Sequence, residues 1–354
     1  MSCVTFDPIK KGRFQAKNRL VRSATQEMTA DEVGCPTETT IEYYRELAKG
    51  GVGTIIVSST QIMRFGEFVK YKMRLDEEAL VPQFQKIVNV IHQEGAQALI
   101  QLTVNWFQRP NAEGVYEVCC VDDMTTEEIQ RVVAAYQNAA KLAQQAGFDG
   151  MQIHGASGFL INQFLDPNIN HRTDIYGQER TKIVEEIVAA VRKVTEDKFS
   201  ISIKVSVEDF VTEGNQWSID NCLALDRIGL DSIETSGHKN VMIPGIQAGK
   251  NEGTFFAVAE QLQRELQGKM NASLILTGGI RSLEKSDSVL SAGFADVIGL
   301  SRPLICEPNL PNRWQSGDIA SAKCVSCNQC LNKPDYEESI FGCYLQPKTT
   351  WKFR

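Results

Sequence analysis

Residues 273–303 read SLILTGGIRSLEKSDSVLSAGFADVIGLSRP and contain the pattern that decides the fold. A short apolar run at residues 273–277 is followed by two glycines, an amphipathic stretch at residues 283–292 and a second apolar run at residues 295–300. This succession is typical of two parallel strands joined by a crossover helix. Neither run alternates with polar residues, as expected for strands that helices cover.

The same unit recurs along the chain and predicts eight strands and seven crossover helices. The strands are predicted at residues 18–25, 52–58, 96–102, 149–154, 200–206, 230–235, 273–277 and 295–300. The helices are predicted at residues 40–47, 82–94, 126–146, 179–195, 218–228, 255–266 and 283–292. Eight repeats favour an α/β fold of the closed (β/α)8 TIM barrel type, and the pattern alone leaves an open doubly wound sheet as the alternative.

The composition is that of a globular protein, with 42% hydrophobic and 23% charged residues. We expect a single barrel domain over residues 1–354, because α/β barrels commonly exceed about 250 residues, with a cysteine-containing extension at about residues 320–354. A net charge of −7 without a basic run argues against a nucleic-acid partner. No apolar stretch is long enough to span a bilayer and the N-terminus lacks a signal-peptide pattern, so we expect a cytoplasmic protein without a membrane partner.

Two loops at the ends of the last two predicted strands suggest a phosphate site. Residues 277–282 (TGGIRS) combine glycines with the start of a helix, whose free N–H groups attract anions. Arg302 follows the eighth strand and can form paired hydrogen bonds to phosphate oxygens. Each motif alone is weak, but together they predict a phosphate-bearing ligand where barrels often bind phosphate.

Polar residues at other strand ends also point to a ligand. Gln101 and His154 end apolar strands, and Lys204 lies inside a third. A buried ammonium is costly without a partner, so we expect a phosphate or an electron-rich ring beside Lys204. The long stretches 104–123 and 235–254 are interpreted as loops that build the substrate site.

Several stretches resemble the old yellow enzyme family of FMN-dependent NAD(P)H oxidoreductases. The signature region matches HGASGFLINQFLDP at residues 154–167 and NHRTDIYG at residues 170–177. KNRLVRSAT at residues 17–25 and KVSVEDF at residues 204–210 follow in the family's order. The resemblance covers nearly the whole chain and implies a barrel that binds FMN, oxidises NADH or NADPH and reduces a small acceptor. Barrels of this family are often oligomeric, so a homo-oligomer is compatible with it.

The resemblance assigns roles to individual residues. It implies that the flavin and its phosphate are bound by Ser23, Ala24, Thr25, Ser59, Gln101, Lys204, Gly279, Ser301 and Arg302. Lys204 takes the position of the cation beside the flavin pyrimidine, where it favours the anionic reduced form. The residues nearest the chemistry are expected to be His154, Ser157 and Thr25.

The substrate half of the site departs from the family. Ser157 stands where the family has a second Asn or His donor, and Phe159 stands where it has a proton-donating Tyr. A phenyl ring cannot donate a proton. Either activated alkenes still react, with water or another side chain as the acid, or the acceptors are quinones, nitro compounds or free flavin. We expect Phe159→Tyr to accelerate enone reduction.

The C-terminal cysteines form a further candidate site. Cys324, Cys327, Cys330 and Cys343 lie within about twenty residues, a density typical of metal sites. Longer relatives of the dienoyl-CoA reductase type bind an iron–sulfur cluster there, with one more residue between the second and third cysteines. An iron–sulfur cluster, structural zinc and free thiols all stay open.

Two competing functions are weighed against the oxidoreductase. One is a flavin-binding barrel with little catalysis, acting as a sensor or partner protein, which the changes at Ser157 and Phe159 keep open. The other is a sugar-phosphate barrel enzyme without flavin, which leaves Gln101 and Lys204 without a joint explanation. His238, in the loop after the sixth strand, is a further residue that can reach the site.

Overall fold

A computed structural model describes residues 3–64, 69–207, 216–237, 247–253, 256–266, 270–330, 340–343 and 350–352. The strands are β1 (Ile9–Lys11), β2 (Phe14–Ala16), β3 (Leu20–Arg22), β4 (Thr54–Gln61), β5 (Gln97–Thr103), β6 (Gln108–Pro110), β7 (Tyr116–Val118), β8 (Gly150–Gly155), β9 (Ser200–Val207), β10 (Ser232–Gly237), β11 (Ser273–Thr277), β12 (Val297–Leu300), β13 (Ile340–Gly342) and β14 (Thr350–Lys352). The helices are α1 (Glu38–Lys49), α2 (Val81–His92), α3 (Thr126–Gln145), α4 (Leu160–Leu165), α5 (Ile175–Gln178), α6 (Lys182–Arg192), α7 (Gln216–Arg227), α8 (Phe256–Leu266), α9 (Leu283–Ser291), α10 (Arg302–Cys306) and α11 (Leu310–Gln315).

Eight parallel strands close into a barrel in the order β3-β4-β5-β8-β9-β10-β11-β12, and β12 pairs with β3. Barrel strands that are neighbours in space also follow one another along the chain, as short connections favour. The (β/α)8 prediction is confirmed, and the open doubly wound sheet is wrong because β12 and β3 are hydrogen-bonded. Each predicted strand overlaps an observed one, although β3 has only three residues.

The crossover helices form where apolar periodicity and end signals agree. In α3, the Thr125 side chain accepts from the backbone of Glu128, and the Glu128 side chain accepts from the backbone of Thr125. Its buried residues recur every three to four positions, so one face packs on the barrel. The apolar layer between strands and helices is the larger of two hydrophobic clusters.

A second apolar cluster fills the part of the barrel interior nearest the N-terminal ends of the strands. It joins barrel residues such as Val21, Ile56 and Leu99 to Ile9 and Phe14, which lie in the β1–β2 hairpin. The hairpin therefore closes the N-terminal end with apolar side chains. Polar chemistry is left to the opposite end, where the strands finish and (β/α)8 barrels place their sites.

The predicted loop at residues 104–123 contains structure that the sequence did not predict. β6 and β7 pair as an antiparallel hairpin, and α4 forms shortly after β8.

None of the helices in the described part of the chain combines the length and apolar character needed to cross a bilayer.

Candidate functional site

Strand register places three functional side chains side by side. His154 of β8 pairs in register with Lys204 of β9, and Lys204 pairs with Glu234 of β10. Register partners on adjacent strands point to the same face of a sheet. All three side chains are buried, with exposed fractions of 7%, 9% and 0%. The register thus creates a polar layer inside the barrel, above the apolar cluster.

Lys204 is neutralised by a carboxylate. Its Nζ lies 3.1 Å from Oε1 of Glu234 and donates to Oγ of Ser23 at 2.8 Å. Ser23 Oγ donates to the same Oε1 at 2.6 Å. Residues of β9, β10 and the end of β3 therefore share one charged contact, and the protein itself supplies Lys204 with a countercharge in Glu234, which the sequence analysis did not predict.

Neutral donors complete the environment of Glu234. Thr277 donates to its Oε1 at 2.8 Å, and Gln152 donates to its Oε2 at 2.8 Å. Burial alone would raise the pKa of Glu234, but Lys204 and the hydrogen bonds outweigh burial and hold it below the ordinary value. The carboxylate is therefore ionised, and its charge is balanced inside the barrel.

Gln101 joins the same network through an amide pair. Its Nε2 donates to Oε1 of Gln152 at 2.7 Å, across register partners on β5 and β8. Sequence reasoning missed both Gln152 and Glu234. The available signal was a polar residue inside an apolar strand, the same signal that singled out Lys204.

His154 is held as a neutral hydrogen-bond donor. The backbone N–H of Ala156 points to its Nδ1 at 3.4 Å, so Nδ1 is the acceptor and the proton is assigned to Nε2. Burial first, then the charges of Lys204 and Lys72, lower its pKa well below the ordinary value. A neutral imidazole with a free Nε2–H suits a carbonyl or nitro oxygen.

The residues after β8 surround His154 with aromatic rings. The Phe159 ring contacts His154 edge-on at 4.8 Å between centroids and Trp106 at 5.4 Å. Ser157 is exposed, adopts the left-handed backbone conformation with φ of 62°, and its N–H donates to Ser206 Oγ at 2.9 Å. Phe159 therefore occupies the space beside His154 without offering a proton.

The ends of β3 and β12 meet where the barrel closes. Thr25 Oγ1 and Ser301 Oγ are 2.8 Å apart, so the structure brings together two residues that are distant in sequence. Ala24 packs against the inner apolar cluster. His238 and residues 208–210 lie outside the described residues.

The helix start after β11 differs from the sequence prediction. The backbone N–H groups of Arg281 and Ser282 both donate to Oε1 of Glu252 at 2.6 Å, and Ser282 itself caps α9. These donors are therefore occupied by a carboxylate, and the prediction that they are free for a phosphate is wrong. The glycines before them keep the left-handed backbone, with φ of 152° at Gly278 and 77° at Gly279.

Both arginines near the predicted phosphate site also contact the C-terminal segment. Arg302 Nη1 donates to Asn328 Oδ1 at 2.5 Å, and Arg281 Nη2 donates to Ser326 Oγ at 2.6 Å. Burial lowers the pKa of each guanidinium, and both stay charged. The segment that carries the cysteines is thus docked on the loops after β11 and β12.

The four cysteines predicted as metal ligands carry thiols rather than disulfides, namely Cys324, Cys327, Cys330 and Cys343. Burial first, then neighbouring cysteines, raise the pKa of Cys330 to about 11. Across the ranges that the structure describes, no group of three or more His, Cys, Asp or Glu side chains is arranged to hold a metal ion. The metal assignment stays a prediction.

Two features of these strand ends fit the flavin mononucleotide that the resemblance implies. Ser59 Oγ is buried in β4 and lacks a hydrogen-bond partner among the described groups, so a ligand can supply one. Gly278 and Gly279 leave the backbone at the end of β11 without side chains, which allows a phosphate to approach closely, with Arg302 at the end of β12.

Comparisons with known proteins agree with this interpretation. Residues 5–319 match the profile of the NADH:flavin oxidoreductase / NADH oxidase family. A metal reductase of Desulforamulus reducens is 30% identical over 93% of this chain and 51% of its own length. An NADPH dehydrogenase of Halalkalibacterium halodurans is 30% identical over 83% of this chain and 89% of its own length.

The solved structures agree on the fold. An old yellow enzyme homologue from Zymomonas mobilis superposes with a TM-score of 0.70 at 24% identity, over 91% of this chain and 96% of that one. The chain spans about half the length of the curated relatives that it matches first, 51% and 54%.

Proposed function

The chain belongs to the NADH:flavin oxidoreductase / NADH oxidase family, and from that membership we propose that it transfers hydride from NADH or NADPH through FMN to a small organic acceptor. FMN is the cofactor of this family. The acceptor classes that we propose are activated alkenes, quinones and nitro compounds. We place the activity in the cytoplasm, where both nicotinamides are available and the ten cysteines stay reduced.

The observation that carries the proposal is the polar layer formed by His154, Lys204 and Glu234. This layer lies inside the barrel, between the inner apolar cluster and the C-terminal ends of the strands, where (β/α)8 barrels build their sites. A sugar-phosphate enzyme does not require such a layer, whereas a flavin ring presents hydrogen-bonding atoms and a changing charge to it. Bound FMN supplies reversible hydride transfer.

We propose that this chain binds the cofactor with the residues that the sequence singled out. The isoalloxazine ring is contacted by Ser23, Ala24, Thr25, Ser59, Gln101 and Lys204, and the phosphate by Gly279, Ser301 and Arg302. The Thr25–Ser301 contact of 2.8 Å supports one continuous site across the barrel closure. Because Lys204 and Ser23 both contact the Glu234 carboxylate, the net positive charge beside the ring is smaller than it would be with a lysine alone.

The acceptor is oriented by His154, with Ser157 and Thr25 as the neighbouring polar groups. Because His154 is neutral and carries its proton on Nε2, it donates a hydrogen bond to an acceptor oxygen without transferring the proton. It therefore polarises a carbonyl or nitro group, as an oxyanion-binding donor does. We expect nicotinamide and acceptor to use the same face in turn, which predicts ping-pong kinetics.

An anaerobic absorbance spectrum tests the proposal. Protein loaded with FMN should show a flavin spectrum that bleaches on addition of NADPH or NADH and returns when an acceptor is added. A flavin spectrum that neither nicotinamide bleaches would contradict the oxidoreductase and favour a flavin-binding protein with little catalysis. A protein that cannot be loaded with FMN would contradict the site itself.

A further inference from the structure

Lys72 lies at the C-terminal end of the barrel on a fixed stretch of backbone. Gln61, the last residue of β4, donates its N–H to the carbonyl of Met73 at 2.8 Å and accepts from the N–H of Leu75 at 2.8 Å. Tyr71, just before Lys72, adopts a left-handed φ of 62°. This backbone returns the chain alongside β4 and directs Lys72 inward.

The side chain of Lys72 is buried without a countercharge among the described residues. It is 2% exposed, and its Nζ donates to Oδ1 of Asn105 at 2.7 Å. No carboxylate in the described ranges lies within ion-pair distance of it. A buried ammonium with one amide partner is costly, so burial lowers the pKa of Lys72 to about 7. Such groups are enriched at functional sites.

The neighbours of Lys72 belong to the acceptor side of the site. Its Nζ lies 5.7 Å from the centroid of the Phe159 ring, whose edge contacts His154 at 4.8 Å. The carbonyl of Asn105 accepts from the N–H of Leu160 at 2.9 Å, which joins the loop after β5 to the segment after β8. The charge of Lys72 also contributes to the lowered pKa of His154. Lys72, Phe159 and His154 therefore form one cluster.

Reduction of an activated alkene needs an acid in this cluster. When hydride adds to one carbon of a C=C bond, the other carbon must gain a proton. Neutral His154 is a very weak acid, and Phe159 has no proton to give. An ammonium that titrates near neutral pH can release a proton and recover it from solvent.

We propose that Lys72 is the proton donor of this site when an activated alkene is bound against His154. The inference rests on the function proposed above. The C=C π bond breaks, the β carbon receives hydride from NAD(P)H by way of FMN, and the α carbon receives a proton from Nζ. The neutral amine then takes a proton from water, and NAD(P)⁺ is the oxidised product.

Three variants test Lys72 in the FMN-loaded protein. Lys72→Met removes the proton, Lys72→Arg keeps a charge that does not ionise near neutral pH, and Lys70→Met removes an exposed lysine from the same segment as a control. Each enzyme is reduced anaerobically with NADPH or NADH and mixed with 2-cyclohexen-1-one or with ferricyanide, which needs no proton.

We expect Lys72→Met and Lys72→Arg to slow oxidation by the enone by about 10²–10⁴-fold, the usual contribution of a positioned acid. Oxidation by ferricyanide and bleaching by the nicotinamide should stay within twofold, and Lys70→Met should match the wild type throughout. Wild-type rates with the enone in either Lys72 variant, or no oxidation of the wild type by the enone, would overturn the inference. Failure of bleaching would instead overturn the proposed function.

A titration of Lys72 supplies a readout that does not depend on turnover. The holoprotein is prepared with ¹³C-lysine, and the Cε signal absent from Lys72→Met is followed against pH. We expect a midpoint near the value of about 7 that burial produces. A midpoint near the ordinary lysine value of 10.5 would show an ammonium too weakly acidic for this role and overturn the inference.

Discussion

Glu234 changes what Lys204 can do for a bound flavin. A lone lysine beside the flavin pyrimidine would stabilise the negative charge of the reduced ring. With a carboxylate oxygen 3.1 Å from its Nζ, Lys204 contributes much less net positive charge. In the cofactor site that we propose, the buried pair should therefore keep the flavin reduction potential lower than an isolated cation would.

Replacing Glu234 should raise that potential. Glu234→Gln keeps the shape of the side chain and removes the charge, so Lys204 acts on the flavin without compensation. We expect the midpoint potential of the holoprotein to rise by some tens of millivolts, since about 30 mV corresponds to about 1.4 kcal/mol for two electrons. Reductive titration against a redox dye measures the change, with the surface variant Glu46→Gln as control. An unchanged or lower potential would contradict the charge argument.

The burial of Lys72 should lower the free energy of unfolding at pH values where the unfolded chain keeps this side chain protonated. Because its pKa is lowered from 10.5 to about 7 in the folded protein, the unfolded chain binds more protons between these values, and stability rises with pH across that window. Lys72→Met removes this dependence. We expect the variant to be more stable than the wild type by a few kcal/mol at pH 6 and the difference to shrink towards pH 10.5.

Urea unfolding of both proteins at several pH values measures this difference. Lys70→Met serves as control because its exposed ammonium changes little on folding. A stability difference between Lys72→Met and the wild type that is constant from pH 6 to pH 10 would mean that the ammonium is not desolvated as described. If Lys72→Met is more stable than the wild type but reduces the enone more slowly, the loss of activity is not caused by a loss of folding.

The elements of the barrel were predictable because their signals are local. All eight barrel strands and all seven predicted crossover helices overlap observed elements, and boundaries such as Ser282 before α9 carry side-chain caps. The short β3 was predicted too long: Ser23 still donates its N–H to the carbonyl of Leu300 at 3.0 Å, but Ala24 and Thr25 lie beyond the strand. Periodicity and capping residues therefore carry most of the information on the fold.

The site was predictable only in part because its contacts join distant residues. Lys204 was recognisable as an unusual strand residue, but its pairing with Glu234 depends on barrel register. The occupation of the α9 start by Glu252 depends on a loop about thirty residues away. Lys72 lies in the alternating stretch VKYKMRL at residues 69–75, where it shares the polar positions with Lys70 and Arg74, so the local pattern does not indicate that it is buried.

Contact between β11 and β12 depends on a glycine. A Cβ at Gly299 would lie 1.7 Å from Oγ1 of Thr277, the hydroxyl that donates to Glu234. Gly299→Ala should displace Thr277 and destabilise the fold by about 1–3 kcal/mol, the usual cost of overpacking. Adding Thr277→Ala removes the 1.7 Å contact and leaves only a close approach of 3.0 Å to the Cβ at position 277, so the double variant should be more stable than the sum of single effects predicts. Additive losses in chemical denaturation would contradict this contact.

At the scale of the whole molecule, the cysteine-containing segment packs against the loops that follow the last two barrel strands. Arg281 contacts Ser326, and its carbonyl accepts from the N–H of Ala322 at 2.7 Å. Ser326 and Asn328 both adopt left-handed backbone conformations, with φ of 53° and 63°. The segment therefore follows a specific path against the loops that we propose for the phosphate, so changes in it should reach the cofactor.

Asn328→Ala tests this connection. The side chain of Asn328 accepts a hydrogen bond from Arg302, which fixes the guanidinium at the end of β12. Without it, Arg302 loses one of the contacts that orient its guanidinium toward the phosphate, so we expect the dissociation constant for FMN to rise by about tenfold, corresponding to one hydrogen bond of a charged group. Titration of the apoprotein with FMN measures the constant, and Ser316→Ala, a change at an exposed hydroxyl on the C-terminal side of α11, is the control. Equal affinity in wild type and Asn328→Ala would mean that the segment packs beside the phosphate loops without organising them. Tighter binding would mean that Asn328 competes with the phosphate for Arg302 and would reverse the proposed direction of the coupling.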